Sequence, residues 1–290
     1  MHKAEAFELL TADKTTISAT LHTHAEKSPH LIIIGPATGA PQYYYHGFAK
    51  YASQYKDFDV LTFDYRGIGK SLKGSVKDAK ATMTDWGAQD LAAAIRWGDK
   101  RYDKICLIGH SVAGQIFPKA PNNDRILAAY FVGSQTAYYG KWRGLWLLYV
   151  LIFWYVLIPI TTALYNYLPG WTMGGKIAVP KPAAKEWRRW GIHPEGVLQG
   201  DPQMAKRFAN VKIPLHFVSI QDDKLLAPGR ATQALMHYYK NAVTSFQFIK
   251  PKDLKLSKIG HFGFFKKEFR KQLWPMPIFF FSQYINKLDE

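Results

Sequence analysis

A chain of 290 residues, 48% hydrophobic and 15% aromatic, is long enough to bury a large core and too apolar to remain disordered. Its single cysteine excludes an intrachain disulfide, which fits a reducing compartment. Its 38 basic and 22 acidic side chains leave a net charge of +16, but zinc-ligand spacings, RNA-binding aromatic signatures and helix-turn-helix patterns are missing, so nucleic acid is not the expected partner.

The opening "MHKAEAFELL" has no apolar stretch of the secretory kind, and a cytoplasmic protein is expected. Residues 15–21, "TTISATL", alternate apolar and polar and predict an early antiparallel strand. "HLIII" (30–34), "DVLTF" (59–63), "KICLI" (104–108) and "ILAAYFV" (126–132) are short apolar runs suited to strands buried on both faces. Between them, 84–98 carries Trp86, Leu91, Ile95 and Trp97 in an alanine-rich helical pattern that starts at a capping Thr84 or Asp85. The alternation resumes with "IPLHFVSI" (213–220), a helix around 229–240, "SFQFI" (245–249) and a helical region after 262. Strand and helix in alternation predict a mostly parallel central sheet with helices on both faces.

Residues 134–205 interrupt this pattern. No charge lies between Arg143 and Lys176, and "WLLYVLIFWYVLIPI" (146–160) is apolar all round. The stretch nearly has the ~20 residues a membrane crossing needs, but a crossing would separate strands that belong to one sheet. A buried or cap helix, largely protected from solvent, is expected instead. A helix lying in a membrane interface is the alternative, giving peripheral membrane contact through the apolar insertion. The basic excess suits either an anionic surface or plain solvation, since residues 176–290 carry 20 basic and 9 acidic side chains. The domain reading is a core in two parts, 1–133 and 206–290, with an inserted cap or lid at 134–205.

"LIGHSVAGQ" (107–115) places Ser111 where a buried strand turns at once into a helix, flanked by Gly109, Ala113 and Gly114. Such a corner exposes a hydroxyl above the sheet and needs small neighbours. By itself the motif fits equally a small polar residue between two elements. Downstream, strand 213–220 runs into Gln221-Asp222-Asp223, and "KIGHFGFF" (258–265) puts His261 in a glycine-flanked loop. The order serine, acid, histidine is the order of α/β-type triads.

On these residues the chain resembles the α/β-hydrolase fold superfamily, and more narrowly a group of poorly characterised bacterial α/β hydrolases of the serine type. The matching stretches are "IGPATGAP" (34–41), "LTFDYRGIGKS" (61–71), "GHSVAGQ" (109–115), "LPGW" (168–171), "EWRRW" (186–190) and "IGHFGFF" (259–265). The D-x-R-G-x-G-x-S run at Asp64, Arg66, Gly67, Gly69 and Ser71 is a structural marker of that fold. Two departures stand out: Ala113 replaces the usual elbow glycine, and Gly35-Pro36 replaces the usual His-Gly pair.

The resemblance implies an α/β-hydrolase fold with an inserted apolar helical cap. It implies Ser111 as nucleophile, His261 as base and Asp222 as orienting acid, with the backbone N–H groups of Ala37 and Val112 as oxyanion donors. Asp222 and Asp223 point in opposite directions at an extended strand end, so only one reaches His261. Asp222 is expected because it follows Ser219 by three residues, at the family's strand-end Gly-x-x-Asp position. The implied reaction is ester hydrolysis needing no metal or organic cofactor, on a small-molecule or lipid-like substrate. Trp142, Trp146, Phe153, Trp154 and Tyr155 are the expected lining of an acyl slot. An acyltransferase with the same triad, or a silent hydrolase fold that binds a lipid or partner, shares this signature.

Overall fold

The computed structural model describes residues 2–24, 28–55 and 57–286. Among the described residues ten strands run in chain order: β1 (Lys3–Leu10), β2 (Thr16–Thr23), β3 (His30–Gly35), β4 (Asp59–Phe63), β5 (Lys104–His110), β6 (Ile126–Val132), β7 (Tyr167–Leu168), β8 (Val179–Pro180), β9 (Leu215–Ile220) and β10 (Thr244–Ile249). Eight form one sheet in the order β1-β2-β4-β3-β5-β6-β9-β10, while β7 and β8 pair separately. From β4 to β10 every pairing is parallel, and β2 lies antiparallel to both β1 and β4.

The apolar runs become central strands because both their faces are covered. Along β3, Leu31 and Ile33 point into one core, and Ile32 and Ile34 into another on the opposite side. The first core packs under helix 83–99 and the inserted segment; the second packs under helices His46–Ala52 and Pro275–Asn286. Strand β1 was not expected. It sits at the sheet edge with only Leu9 buried, so it carries no buried-strand pattern to read. Helix 83–99 is capped by Thr82 instead of Thr84 or Asp85. The Thr82 hydroxyl accepts from Asp85 N–H at 3.0 Å, and the Asp85 carboxylate accepts from Thr82 N–H at 2.9 Å.

The insertion between β6 and β9 shares the first core, with Trp154, Trp187 and Trp190 in the same cluster as Phe131 and Phe217. Its long helix spans Gly144–Leu164, with a π-helical turn at Phe153–Leu157. One stripe, Val150, Phe153, Trp154, Ile158, Thr161 and Thr162, packs inward. Only about a third of this helix is buried, so the expected protection from solvent is not what the fold provides. The sequence is apolar on two faces and the molecule covers one of them.

Candidate active site

Strand β5 ends at His110 and a short helix begins at Ala113, so Ser111 turns the corner with φ +56°. This left-handed conformation is costly for a residue with a Cβ, and strain of this kind concentrates at functional positions. Backbone bonds hold it: Ser111 N–H donates to the Val132 carbonyl at 2.9 Å, and its own carbonyl accepts from Gly114 N–H at 3.3 Å. Ala113 fits in place of glycine because glycine stands opposite it. A Cβ on Gly35 would lie 3.0 Å from the Ala113 methyl, and one on Gly109 3.1 Å from it. The two departures from the usual motif therefore meet at one contact.

His261 lies in the turn Gly260–Gly263 and shares a cleft with Ser111, both being 8% exposed. Its Nδ1 is 2.6 Å from Oδ2 of Asp223. This corrects the expectation for Asp222. The other oxygen of Asp223 accepts from the N–H groups of Leu226 at 3.2 Å and Ala227 at 3.1 Å, fixing the carboxylate. The reason lies at the strand end: β9 stops at Ile220, and Asp223 N–H folds back onto the Ile220 carbonyl at 3.0 Å. The chain has already turned there, so counting along an extended strand fails. Asp222 instead accepts from Ile259 N–H at 2.9 Å and Gly260 N–H at 3.1 Å, tethering the loop that carries His261.

Below this pair runs a buried chain of hydrogen bonds. Ala37 N–H donates to the Tyr45 hydroxyl at 2.9 Å, which corrects the assignment of that N–H as an oxyanion donor. Tyr45 meets His110 Nδ1 at 2.8 Å, and His110 Nε2 meets the His261 carbonyl at 3.1 Å. A carbonyl only accepts, so Nε2 carries the proton, Nδ1 accepts, and Tyr45 donates to it. Burial and the adjacent His261 ring hold His110 well below the ordinary histidine range, which keeps this neutral tautomer. Among the described residues Val112 N–H has no backbone hydrogen-bond partner. Thr38 lines the cleft with Ala37, and its buried hydroxyl has no partner among the described residues.

The sequence model of the alpha/beta hydrolase family matches residues 32–249. The chain belongs to that family. Solved structures similar to this hydrolase include ferulic-acid-bound Est1E from Butyrivibrio proteoclasticus, with a TM-score of 0.63 at 15% identity over 96% of this chain and 99% of that one. An esterase from Pyrococcus furiosus gives 0.58 at 13% over 98% and 91%. A thermophilic esterase from Thermogutta terrifontis gives 0.58 at 15% over 97% and 99%. No curated protein sequence matches the chain.

In this hydrolase a second, apolar cleft continues from the first, and Gln135, Met173, Trp187 and Leu226 line both. Of the five aromatic residues expected there, Trp142, Phe153 and Trp154 line it. Trp146 and Tyr155 do not; they are 43% and 48% exposed on the outer side of the helix. Trp142 is fixed by its indole N–H, which donates to the Leu225 carbonyl at 2.7 Å, in the loop just after Asp223. Trp187 was missed, although "EWRRW" stood out and the helix Lys181–Ile192 buries Ala183, Ala184, Trp187 and Trp190 on one face. The free interior of this cleft is about 30 Å³, room for roughly two water-sized spheres.

The D-x-R-G-x-G-x-S run is structural here. Asp64 accepts from Gln42 N–H at 2.6 Å and Lys70 N–H at 3.0 Å, and the Ser71 hydroxyl donates to the Asp64 carbonyl at 2.8 Å. Arg66 joins Asp90 at 2.7 Å and Asp13 at 2.6 Å. Burial of the Asp90 carboxyl raises its pKa to about 7 against the pull of Arg66.

Proposed function

We propose that this hydrolase cleaves carboxylic esters with an apolar acyl portion through an acyl-enzyme on Ser111. The carrying observation is the strained Ser111 corner in one cleft with His261, whose Nδ1 is paired with Asp223 at 2.6 Å. Nδ1–H donates to Asp223, leaving Nε2 as the base. The Ser111 oxygen attacks the ester carbonyl as its proton passes to Nε2. Protonated His261 is stabilised by Asp223 and gives that proton to the departing alcohol. Water then enters, loses a proton to His261, and releases the acid while Ser111 regains its hydrogen.

The oxyanion is received by Val112 N–H and by Thr38, whose buried hydroxyl lines the cleft with Ser111 and has no partner among the described residues. One well-placed donor contributes about 3–4 kcal/mol in such a transition state. The acyl chain occupies the cleft under Trp142, Phe153 and Trp154, with 134–205 acting as its cap. The reading needs no cofactor, and a cytoplasmic setting suits the free, buried Cys106.

Turnover of p-nitrophenyl esters tests the reading. Wild type should gain up to roughly fourfold in kcat/KM per added acyl methylene, about 0.8 kcal/mol each, from acetyl toward hexanoyl. Ser111→Ala should lose on the order of 10⁶ in rate with unchanged thermal unfolding. Near-normal turnover in that variant would remove the nucleophile from the mechanism.

A further inference from the structure

The outward face of helix Gly144–Leu164 presents Leu145, Leu148, Ile152, Val156, Ile160 and Leu164 at three- and four-residue spacing. Leu145 is 82% and Leu164 74% exposed, so nothing among the described residues covers either end of the row. A helix apolar on all sides is stable only when both sides leave water. Continuous exposed apolar ridges of this kind mark surfaces that meet something else.

What meets it is indicated by charge. Beside the ridge runs a groove of about 550 Å³ lined by Ile158 and Pro159 on one wall and by Lys181, Lys185, Arg188 and Arg189 on the other. None of these four cations has a carboxylate partner among the described residues. Arg188 Nε donates to the Trp154 carbonyl at 2.7 Å, which fixes its guanidinium at the edge of the ridge. No acidic residue occurs between Asp124 and Glu186, and the Glu186 carboxylate is turned inward to accept from Thr84. An uncharged, exposed helix bordered by cations that no carboxylate neutralises matches the boundary between acyl chains and anionic headgroups.

We infer that this face docks the hydrolase on an anionic phospholipid bilayer, with helix 144–164 lying in the plane of the interface and the basic groove against the headgroups. The helix does not cross the bilayer, because its inner stripe packs on Trp187 and both flanking chains return to the same sheet. A second copy of the chain fits less well. A two-fold contact through this patch would bring one basic groove toward the other on a chain already carrying +16. The docked orientation places Tyr149, an exposed residue that lines the apolar cleft, beside the lipid. That consequence rests on the proposed ester hydrolysis; docking itself does not.

The test is co-sedimentation with vesicles of phosphatidylcholine alone and of an equal phosphatidylcholine–phosphatidylglycerol mixture. Ser111→Ala protein serves as well as wild type, so failure of docking and failure of the catalytic reading are distinguishable. The protein should bind the anionic vesicles, ignore the neutral ones and dissociate in molar salt. Leu148→Asp/Ile152→Asp and Lys185→Glu/Arg189→Glu should each weaken binding by about tenfold or more. Thermal unfolding identifies which double variant remains folded, and either one suffices. Absent binding, equal binding to neutral vesicles, or unchanged binding in a folded double variant overturns the inference. So does a wild-type dimer in light scattering that Leu148→Asp/Ile152→Asp converts to monomers, which would assign the face to a second copy.

Discussion

Adjacent aspartates divide two tasks at the end of β9. Asp223 faces His261, while Asp222 ties down the backbone that carries His261. Asp223→Asn keeps the shape but presents an amide to Nδ1, favouring the wrong tautomer, and should lower kcat on the order of 10⁴. Asp222→Asn retains one accepting oxygen and should cost less than about tenfold in kcat, with a lowered unfolding temperature from the weakened charge-assisted bonds. Steady-state kinetics and thermal unfolding of both variants check this; the reverse ranking would return the orienting role to Asp222. Which aspartate does what was not legible in the sequence. Both carry the same chemistry, and the choice depends on a turn that starts one residue after the strand. Ala37 failed similarly, because sequence does not show that Tyr45 takes its N–H.

At the scale of elements, periodicity served well wherever burial was symmetrical. β3, β4, β5, β6 and β9 were legible because each is covered on both faces and reads as a largely apolar run. β1 was not, since an edge strand is held by backbone pairing with β2, which leaves no side-chain pattern. The corner after β5 was legible through its small residues, and the structure adds their interdependence. Gly35 belongs to another strand, yet it makes room for the methyl of Ala113. Gly35→Ala should destabilise the fold by about 1–3 kcal/mol, the usual cost of an extra methyl in a packed site. Ala113→Gly should restore a large part of that loss in the double variant, a coupling that denaturant unfolding of the four proteins measures. Additive effects would mean that the two residues do not share this contact.

For the whole molecule, length and strand–helix alternation implied one doubly covered sheet, and two cores on its two sides bear that out. Composition also flagged the insertion, but could not say how much of an all-apolar helix the protein itself would bury. The answer is one stripe, which completes the first core and lends Val150, Phe153 and Trp154 to the lining of the apolar cleft that continues from the one holding Ser111. The account depends on that cleft holding a working nucleophile. Peptide mapping by mass spectrometry after reaction with a fluorophosphonate tests this most directly. A single adduct on Ser111, formed quickly in wild type and far more slowly in Asp223→Asn, is the predicted result. No adduct, or an adduct on another residue in a protein that turns over esters, would contradict it.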